Sequence, residues 1–180
     1  MASPLPAPDT TAGLGVQTLR APPLWRRVAA LPYEGLLLLA LMLAASFPIA
    51  GLKGMTLTGT PHLVFQFYLF LVSAAYFIWF WQHGGQTLPM KTWHFKVVDT
   101  RGQPLRPAQA FLRFLCALLF YGPAATGLVL LFFPNRVNPV IAMWAFLPMI
   151  ATFWWSQFDS DRQYLHDRLA GTRLVDVTAS

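Results

Sequence analysis

The sequence predicts an all-α membrane protein, a bundle of four transmembrane helices with a small cytoplasmic β-hairpin or loop element. Of its 180 residues, 56% are hydrophobic and only 11% are charged, whereas a soluble domain carries about 25% charged residues. Four apolar runs are long enough to cross a hydrocarbon core of about 30 Å. The basic residues flank these runs, so we attribute the net charge of +6 to orientation in a membrane and expect no nucleic-acid binding.

The N-terminal residues 1–23 are rich in Pro, Ala, Thr and Gly, and we predict that they form a disordered cytoplasmic tail because they cannot build a core. The first predicted span covers residues 28–52. A cleaved signal peptide is the alternative, because the small residues at positions 44–46 resemble a cleavage site. The span is favoured, since the run is longer than a signal core of about 7 to 15 residues and Glu34 interrupts it.

The second predicted span covers residues 62–82 and the fourth covers residues 140–158, and each ends in aromatic residues that suit a membrane interface. The third apolar run, residues 108–133, is interrupted in its middle by a Gly-Pro pair. One interpretation is a single kinked span, and the other is a surface helix over residues 108–121 followed by a separate short segment. We favour the single span because the residues after the pair are too few to cross a membrane alone.

The polar stretch after the second span predicts a β-hairpin. One strand covers residues 93–99, a turn follows at residues 100–102, and residues 103–105 return. Because a two-stranded piece alone is marginally stable, we expect a further strand from residues 172–177 to pair with it in a small sheet at the membrane surface. Between the last span and this strand, residues 161–170 predict a short helix that ends before a glycine.

The distribution of basic residues predicts the topology. Four spans place both termini on one side of the membrane, and eleven of the thirteen basic residues lie on that side. Short cytoplasmic loops are enriched in Lys and Arg, so we predict that both termini are cytoplasmic. The eleven residues are Arg20, Arg26, Arg27, Lys91, Lys96, Arg101, Arg106, Arg113, Arg162, Arg168 and Arg173. Lys53 and Arg136 lie on the opposite side.

Two ionisable residues in the first span raise the question of function. Arg27 stands at the mouth of the span and Glu34 lies inside it. A charged group at the centre of a span costs about 2.5 to 3.5 kcal/mol, so it requires a partner or a function. The two residues are about 10.5 Å apart along a helix axis, too far for a direct pair. We expect Arg113 to pair with Glu34, and Asp161 or Asp167 to pair with Arg27.

Two interpretations of these charges stay open. In the first, the pairs only lock the helix bundle and fix its register. In the second, Glu34 is the carboxylate of a cation or proton site that loads and unloads. His166 stands next to Asp167, and an imidazole titrates near neutral pH, but we expect this histidine to be solvated at the membrane surface.

No motif for catalysis or for a cofactor is visible. His83 and His94 lack Cys or carboxylate companions at metal-ligand spacing, so we expect no metal site. The glycine-rich residues 84–87 lack the preceding strand and following helix of a phosphate loop. We therefore expect that the protein is not an enzyme and that it uses no cofactor.

Three features resemble the RDD family of bacterial membrane proteins, which is named for one arginine and two aspartates. They are an arginine before a carboxylate in the first span, the loop GQTLPMK at residues 85–91 with FKVVD at residues 95–99, and LHDRLAGT at residues 165–172. Together the likeness covers residues 24–177, which we take as one RDD-like transmembrane domain.

The resemblance implies site residues and a role. The arginine of the family falls on Arg27, its first aspartate on Glu34, which is longer by one methylene, and its second on Asp167. The secondary candidates are Arg113, Asp161 and His166. A transport-related role is implied, with exchange of a monovalent cation for protons as its sharpest form. The alternative is a non-transporting membrane subunit or assembly protein, whose buried charges only fix helix packing.

The expected surroundings follow from the same resemblance. We expect a multi-pass protein of the bacterial plasma (inner) membrane, in contact with the lipid bilayer. Four spans enclose little volume for a pathway, so further copies of the chain or other membrane proteins are expected partners.

Overall fold

The computed structural model describes residues 20–50, 60–132 and 138–178. Four helical stretches in it are long and apolar enough to cross a membrane, and a small two-stranded sheet accompanies them, which confirms the predicted all-α membrane fold. The four stretches are Leu24–Ile49, His62–Gln82, Pro107–Leu131 and Pro139–Phe158. Residues 1–19 of the predicted tail, the ends of the first and third predicted spans at residues 51–52 and 133, and the two basic residues Lys53 and Arg136 lie outside the described residues.

The described residues form seven helices and two strands. In chain order these are α1 Leu24–Ala50, α2 Thr60–Gln82, α3 Leu88–Thr92, β1 Phe95–Asp99, α4 Pro107–Leu131, α5 Pro139–Trp144, α6 Leu147–Phe158, α7 Leu165–Leu169 and β2 Thr172–Asp176. We call α3, β1, α7 and β2 together the cap, since they lie at the end of the bundle where α1 and α4 begin and α2 and α6 end.

The long helices turn apolar side chains outward. In α1, Leu36, Leu39 and Leu43 are all more than half exposed, and they recur at helical spacing along one face. Within a helix every backbone N–H and C=O group past the first and last turns is bonded internally, which is the condition for crossing a bilayer. These faces therefore suit contact with lipid.

The third span is a single helix, so the interpretation as a surface helix plus a separate segment is wrong. Helix α4 runs without a break from Pro107 to Leu131 and contains Pro123. Pro107 occupies the first turn, where its missing N–H costs no hydrogen bond. Pro123 lacks the N–H that would donate to the Leu119 carbonyl, and in the next turn the Thr126 hydroxyl donates to the carbonyl of Gly122 at 3.0 Å.

The fourth predicted span is confirmed as Pro139–Phe158, but its helix is interrupted at Ala145 and Phe146, where α5 ends and α6 begins. Pro148 lies in the first turn of α6, and its missing N–H prevents the helical bond that would join the two pieces. The break packs closely on α4: a side chain at Gly127 would collide with the Ala142 carbonyl and the Ala145 side chain.

The cap contains the predicted pairing of distant strands. Strands β1 and β2 are antiparallel, with Val97 opposite Leu174 in the register. The predicted return strand over residues 103–105 is wrong. Instead, residues 99–103 close a turn, in which the Asp99 carboxylate accepts from the N–H groups of Arg101 and Gln103 at 2.8 and 2.7 Å. The Asp99 N–H donates to the Gln103 carbonyl at 2.9 Å, and the described residues from there to α4 form no strand. The helix predicted over residues 161–170 is present but shorter, since α7 covers only Leu165–Leu169.

The cap is fixed to the membrane helices by a glycine turn and by a shared core. Gly85 adopts a φ of +72°, and a Cβ there would collide with the Val97 carbonyl, so this position suits only glycine. The N–H of Val97 donates to the Gly85 carbonyl at 2.7 Å. Trp81 of α2, Phe114 of α4 and Phe95 of β1 belong to one buried cluster.

Candidate functional site

A cavity of about 250 Å³ lies between α1 and α4 and is bordered by the cap. On α1 its wall includes Ala30 and Leu38, and on α4 it includes Ala117 and Tyr121, so each helix presents one face to it. Helix α1 packs on α2 and α3, while α4 packs on α2, α5, α6 and α7. Besides two tyrosines, the otherwise mostly apolar wall carries two arginines, one glutamate and one histidine, namely Arg27, Arg113, Glu34 and His166.

Arg113 of α4 forms a buried ion pair with Asp167 of α7. Its Nη2 lies 2.6 Å from Asp167 Oδ1, and the residues are 3% and 0% exposed. The guanidinium carbon also lies 4.4 Å from the ring centre of Trp81, an arrangement that adds a cation–π attraction. Arg113 Nε and Asp167 Oδ2 are buried without a hydrogen-bond partner among the described residues. The pair therefore rests on one short contact.

His166 is buried beside this pair, so the expectation of a solvated histidine is wrong. It is 3% exposed, with Nε2 3.5 Å from Asp167 Oδ1 and Nδ1 3.4 Å from the Thr152 hydroxyl. Burial lowers the pKa of His166 to about 4, because the loss of solvation outweighs the opposing charge of Asp167. The imidazole is neutral at neutral pH.

Arg27 is bonded to backbone carbonyls, so the expected pairing with Asp161 or Asp167 is wrong. Its Nε donates to the Pro22 carbonyl at 2.9 Å and its Nη1 to the Arg162 carbonyl at 2.6 Å. The guanidinium carbon lies 5.1 Å from the ring centre of Tyr164. These bonds fix the start of α1 to the chain that leaves α6.

Asp161 lies away from the cavity. Its Oδ2 is 3.0 Å from Arg168 and 3.0 Å from Arg173, and its side chain is 37% exposed. It therefore belongs to a surface ion-pair network and not to the wall that carries Arg27 and Glu34.

Glu34 has hydroxyl partners, and the expected pairing with Arg113 is wrong. Its Oε1 accepts a hydrogen bond from the Tyr76 hydroxyl at 2.9 Å, and its Oε2 accepts one from the Thr87 hydroxyl at 2.6 Å. None of the ion pairs found among the described residues includes Glu34. Arg113 is engaged by Asp167 instead, because α7 packs directly on α4.

The sequence interpretation missed Tyr76 and Thr87, the two direct partners of Glu34. Thr87 carried a signal, since it precedes Leu88 and Pro89 in the pattern of a helix N-cap, and its hydroxyl does accept from the N–H of Met90, at 3.5 Å. Its second role as a donor to Glu34 joins residues 53 positions apart, which local spacing does not reveal.

The described ranges contain no group of three or more His, Cys, Asp or Glu side chains placed to hold a metal ion. The ionisable side chains at the cavity instead divide into a fixed ion pair, an arginine bound by carbonyls, and a carboxyl bound by two hydroxyls. Such a carboxyl can gain or lose a proton without breaking an ion pair.

Fold and site together define a multi-pass membrane protein with a cavity between its helices and ionisable side chains on the cavity wall. The model of the RDD family matches residues 21–171. This match includes Arg27, Glu34 and Asp167 and spans well over half of the chain, so the protein belongs to the RDD family. Neither a curated protein nor a solved structure matches the chain.

Proposed function

We propose that the protein exchanges a monovalent cation for protons across a membrane, and that the Glu34 carboxyl binds either one. The observation that carries this proposal is the set of hydrogen bonds that Glu34 makes on the cavity wall. Both of its oxygens accept from hydroxyls, and no ion pair within the described residues involves it. A carboxylate held by a fixed salt bridge would have to break that bridge to be protonated.

The oxygens around Glu34 suit a hard cation. The two carboxylate oxygens lie next to the hydroxyl oxygens of Tyr76 and Thr87, and hard cations prefer oxygen ligands. Each hydroxyl can donate to the carboxylate or present its oxygen to a cation. A bound cation and a bound proton would each neutralise the same single charge, so one would displace the other.

The neighbouring arginines are already engaged. Arg113 is paired with Asp167, and Arg27 is bonded to the carbonyls of Pro22 and Arg162. Both positive charges still lie along the same cavity, where they favour release of the cation. Their fixed partners leave Glu34 as the group whose charge changes.

We extend the proposal to location and orientation. The RDD family membership and the flanking basic residues support a place in a bacterial plasma membrane with both termini in the cytoplasm. The cap would then lie on the cytoplasmic side, and the cavity would load from there. We propose an exchanger and not an enzyme.

The test is ion exchange in proteoliposomes that hold the purified full chain and a pH-sensitive dye. An inward gradient of Na⁺, K⁺ or Li⁺ should drive proton movement in the native protein. Glu34→Gln should abolish it, whereas Glu34→Asp should retain part of it because the carboxyl persists. Asp161→Asn is the matched control, since it removes one carboxylate that does not line the cavity.

Exchange that survives Glu34→Gln would overturn the role of this residue. Thermal unfolding and size-exclusion chromatography of each variant separate loss of exchange from loss of folding. If the folded native protein moves none of the three cations, the exchange proposal fails. The alternative of a non-transporting subunit would then be tested through proteins that co-purify with it.

A further inference from the structure

A second cavity, which we call the outer cleft, lies at the capped end of the bundle. It has a volume of about 360 Å³ and lies between the chain entering α1, the end of α6 and the end of β2. Its ionisable lining consists of four arginines and one aspartate, namely Arg20, Arg26, Arg27, Arg162 and Asp176. Four positive charges against one negative charge leave an excess of three positive charges in a small volume.

Two of the arginines are held in place. Arg26 Nη1 lies 3.2 Å from Asp176 Oδ2, and Arg27 is bonded to two backbone carbonyls. Partial burial raises the pKa of Asp176, but hydrogen bonds from Thr178 and the charge of Arg26 outweigh it and hold that pKa below its ordinary value. The aspartate is charged at neutral pH and positions Arg26 at the cleft.

The other two arginines are uncommitted. Both Arg20 and Arg162 are exposed, and although their backbone carbonyls accept hydrogen bonds from Asp176 and Arg27, neither guanidinium group makes a hydrogen bond or ion pair with another described residue. The backbone at Arg162 has a φ of +52°, one of two positive values among the described non-glycine residues. Its carbonyl, which accepts from Arg27 at 2.6 Å, holds this unfavourable conformation. Backbone strain of this kind is concentrated at functional positions.

The outer cleft lies at the level along the membrane normal where lipid head groups are found. Trp25 is 60% exposed at the start of α1, next to Arg26, and Trp155 is 46% exposed in the last turn of α6. Exposed tryptophans at the ends of transmembrane helices lie at the level of the head groups. Guanidinium groups bind phosphate oxygens through paired, charge-assisted hydrogen bonds.

We propose that the outer cleft binds a phosphate group, carried by an anionic phospholipid of the adjoining leaflet or by a phosphorylated solute. Arg26 and Arg27, whose guanidinium groups are already bonded, form a fixed side of the site. The guanidinium groups of Arg20 and Arg162 bind the phosphate from the other side. This site is separate from Glu34, so the proposal stands or falls independently of cation exchange. Arg27 lines both cavities, and a ligand in the outer cleft would therefore contact the arginine that borders the exchange site.

The test compares two double variants of the full chain in detergent. Arg20→Gln with Arg162→Gln removes the two uncommitted charges of the cleft. Arg101→Gln with Arg106→Gln is the control, because it removes two exposed charges at the same end of the protein outside the cleft. Binding of phosphatidylglycerol and of phosphatidylcholine is measured by native mass spectrometry, and binding of inorganic phosphate by calorimetry.

We expect the cleft variant to bind phosphatidylglycerol about tenfold more weakly than the native chain, and the control to stay within about twofold. If the cleft variant, but not the control, loses binding of inorganic phosphate, a phosphorylated solute is a source of the phosphate group. If the cleft variant loses only lipid binding, the source is the phospholipid. Equal losses in both double variants would reduce the effect to general charge attraction and overturn the proposal. A cleft variant that binds as tightly as the native chain would also overturn the proposal. Thermal unfolding is measured for both double variants, and an unchanged transition shows that they are folded.

Discussion

Glu34 and Asp167, the two acids that the resemblance to the RDD family implies as site residues, have different surroundings in the structure. Asp167 is fully buried and lies 2.6 Å from Arg113. Glu34 is partly buried on the cavity wall and accepts hydrogen bonds from Tyr76 and Thr87. The first acid joins the cap to α4 through opposite charges, whereas the second has neutral donors. We infer that Asp167 fixes the structure and that Glu34 is free to change its charge.

The energies of the two arrangements differ for the same reason. Removing one member of a buried ion pair leaves an uncompensated charge and costs about 3 to 5 kcal/mol. Removing the charge of Glu34 leaves two hydroxyls, which are neutral and can bond to an amide in its place. A net hydrogen bond contributes only about 1 kcal/mol. Stability measurements can therefore separate a structural acid from an exchanging one.

The largest effect is expected at the ion pair. Asp167→Asn should lower the free energy of unfolding by about 3 to 5 kcal/mol, because Arg113 keeps a buried charge without its partner. Thermal unfolding followed by circular dichroism in detergent measures this change. Asp161→Asn is the control and should cost less than about 1 kcal/mol, since its pairs with Arg168 and Arg173 are solvent-exposed. Similar losses in both variants would contradict a structural role for the buried pair.

A second effect concerns the pH dependence of the same region. The pKa of His166 is lowered to about 4 in the folded chain, so the unfolded chain binds more protons between about pH 6.5 and pH 4. Stability from this residue is complete above that window and is lost as the pH falls through it. From about pH 7 to about pH 5 the loss should be about 2 kcal/mol.

Denaturant unfolding at a series of pH values measures this loss. His166→Gln is the matched variant, because it lacks the titrating group and should flatten the slope in that window. An unchanged slope in the variant would show that another group titrates. It would also contradict the burial of the His166 imidazole beside Asp167.

The smallest effect on stability is expected at Glu34. Glu34→Gln should change the free energy of unfolding by only about 1 kcal/mol, because the amide can keep a bond to Tyr76 or Thr87. The same unfolding assay as for Asp167→Asn makes the two values directly comparable. A loss as large as that of Asp167→Asn would mean that Glu34 also carries a structural charge, and the contrast between the two acids would disappear.

The sequence predicts the framework better than the contacts. Apolar runs identify the four spans because crossing a bilayer imposes a minimum length on each one. The strand predicted over residues 172–177 is confirmed as β2, which pairs with β1. The break between α5 and α6 had a visible signal in Pro148, which weakens a helix at a known position.

The partners of the charged residues were not predictable in the same way. Arg113 and Asp167 are 54 positions apart, and Tyr76 and Glu34 are 42 apart. Which of them meet depends on how each helix is rotated and where α7 docks, and residue spacing within one helix does not determine this. Arg113 was the expected partner of Glu34 because of its charge alone. In the structure Arg113 pairs with Asp167 of the cap instead.

The most direct test of the contrast between the two acids is the infrared carboxyl signal of Glu34 in the purified protein. Difference spectra against Glu34→Gln are recorded across a pH series with and without Na⁺. We predict a protonated carboxyl band that disappears as the pH rises, and that disappears at a lower pH when Na⁺ is present, because protons and Na⁺ compete for one site. A Glu34 carboxylate that stays ionised throughout the series and does not respond to Na⁺ would contradict exchange at this residue.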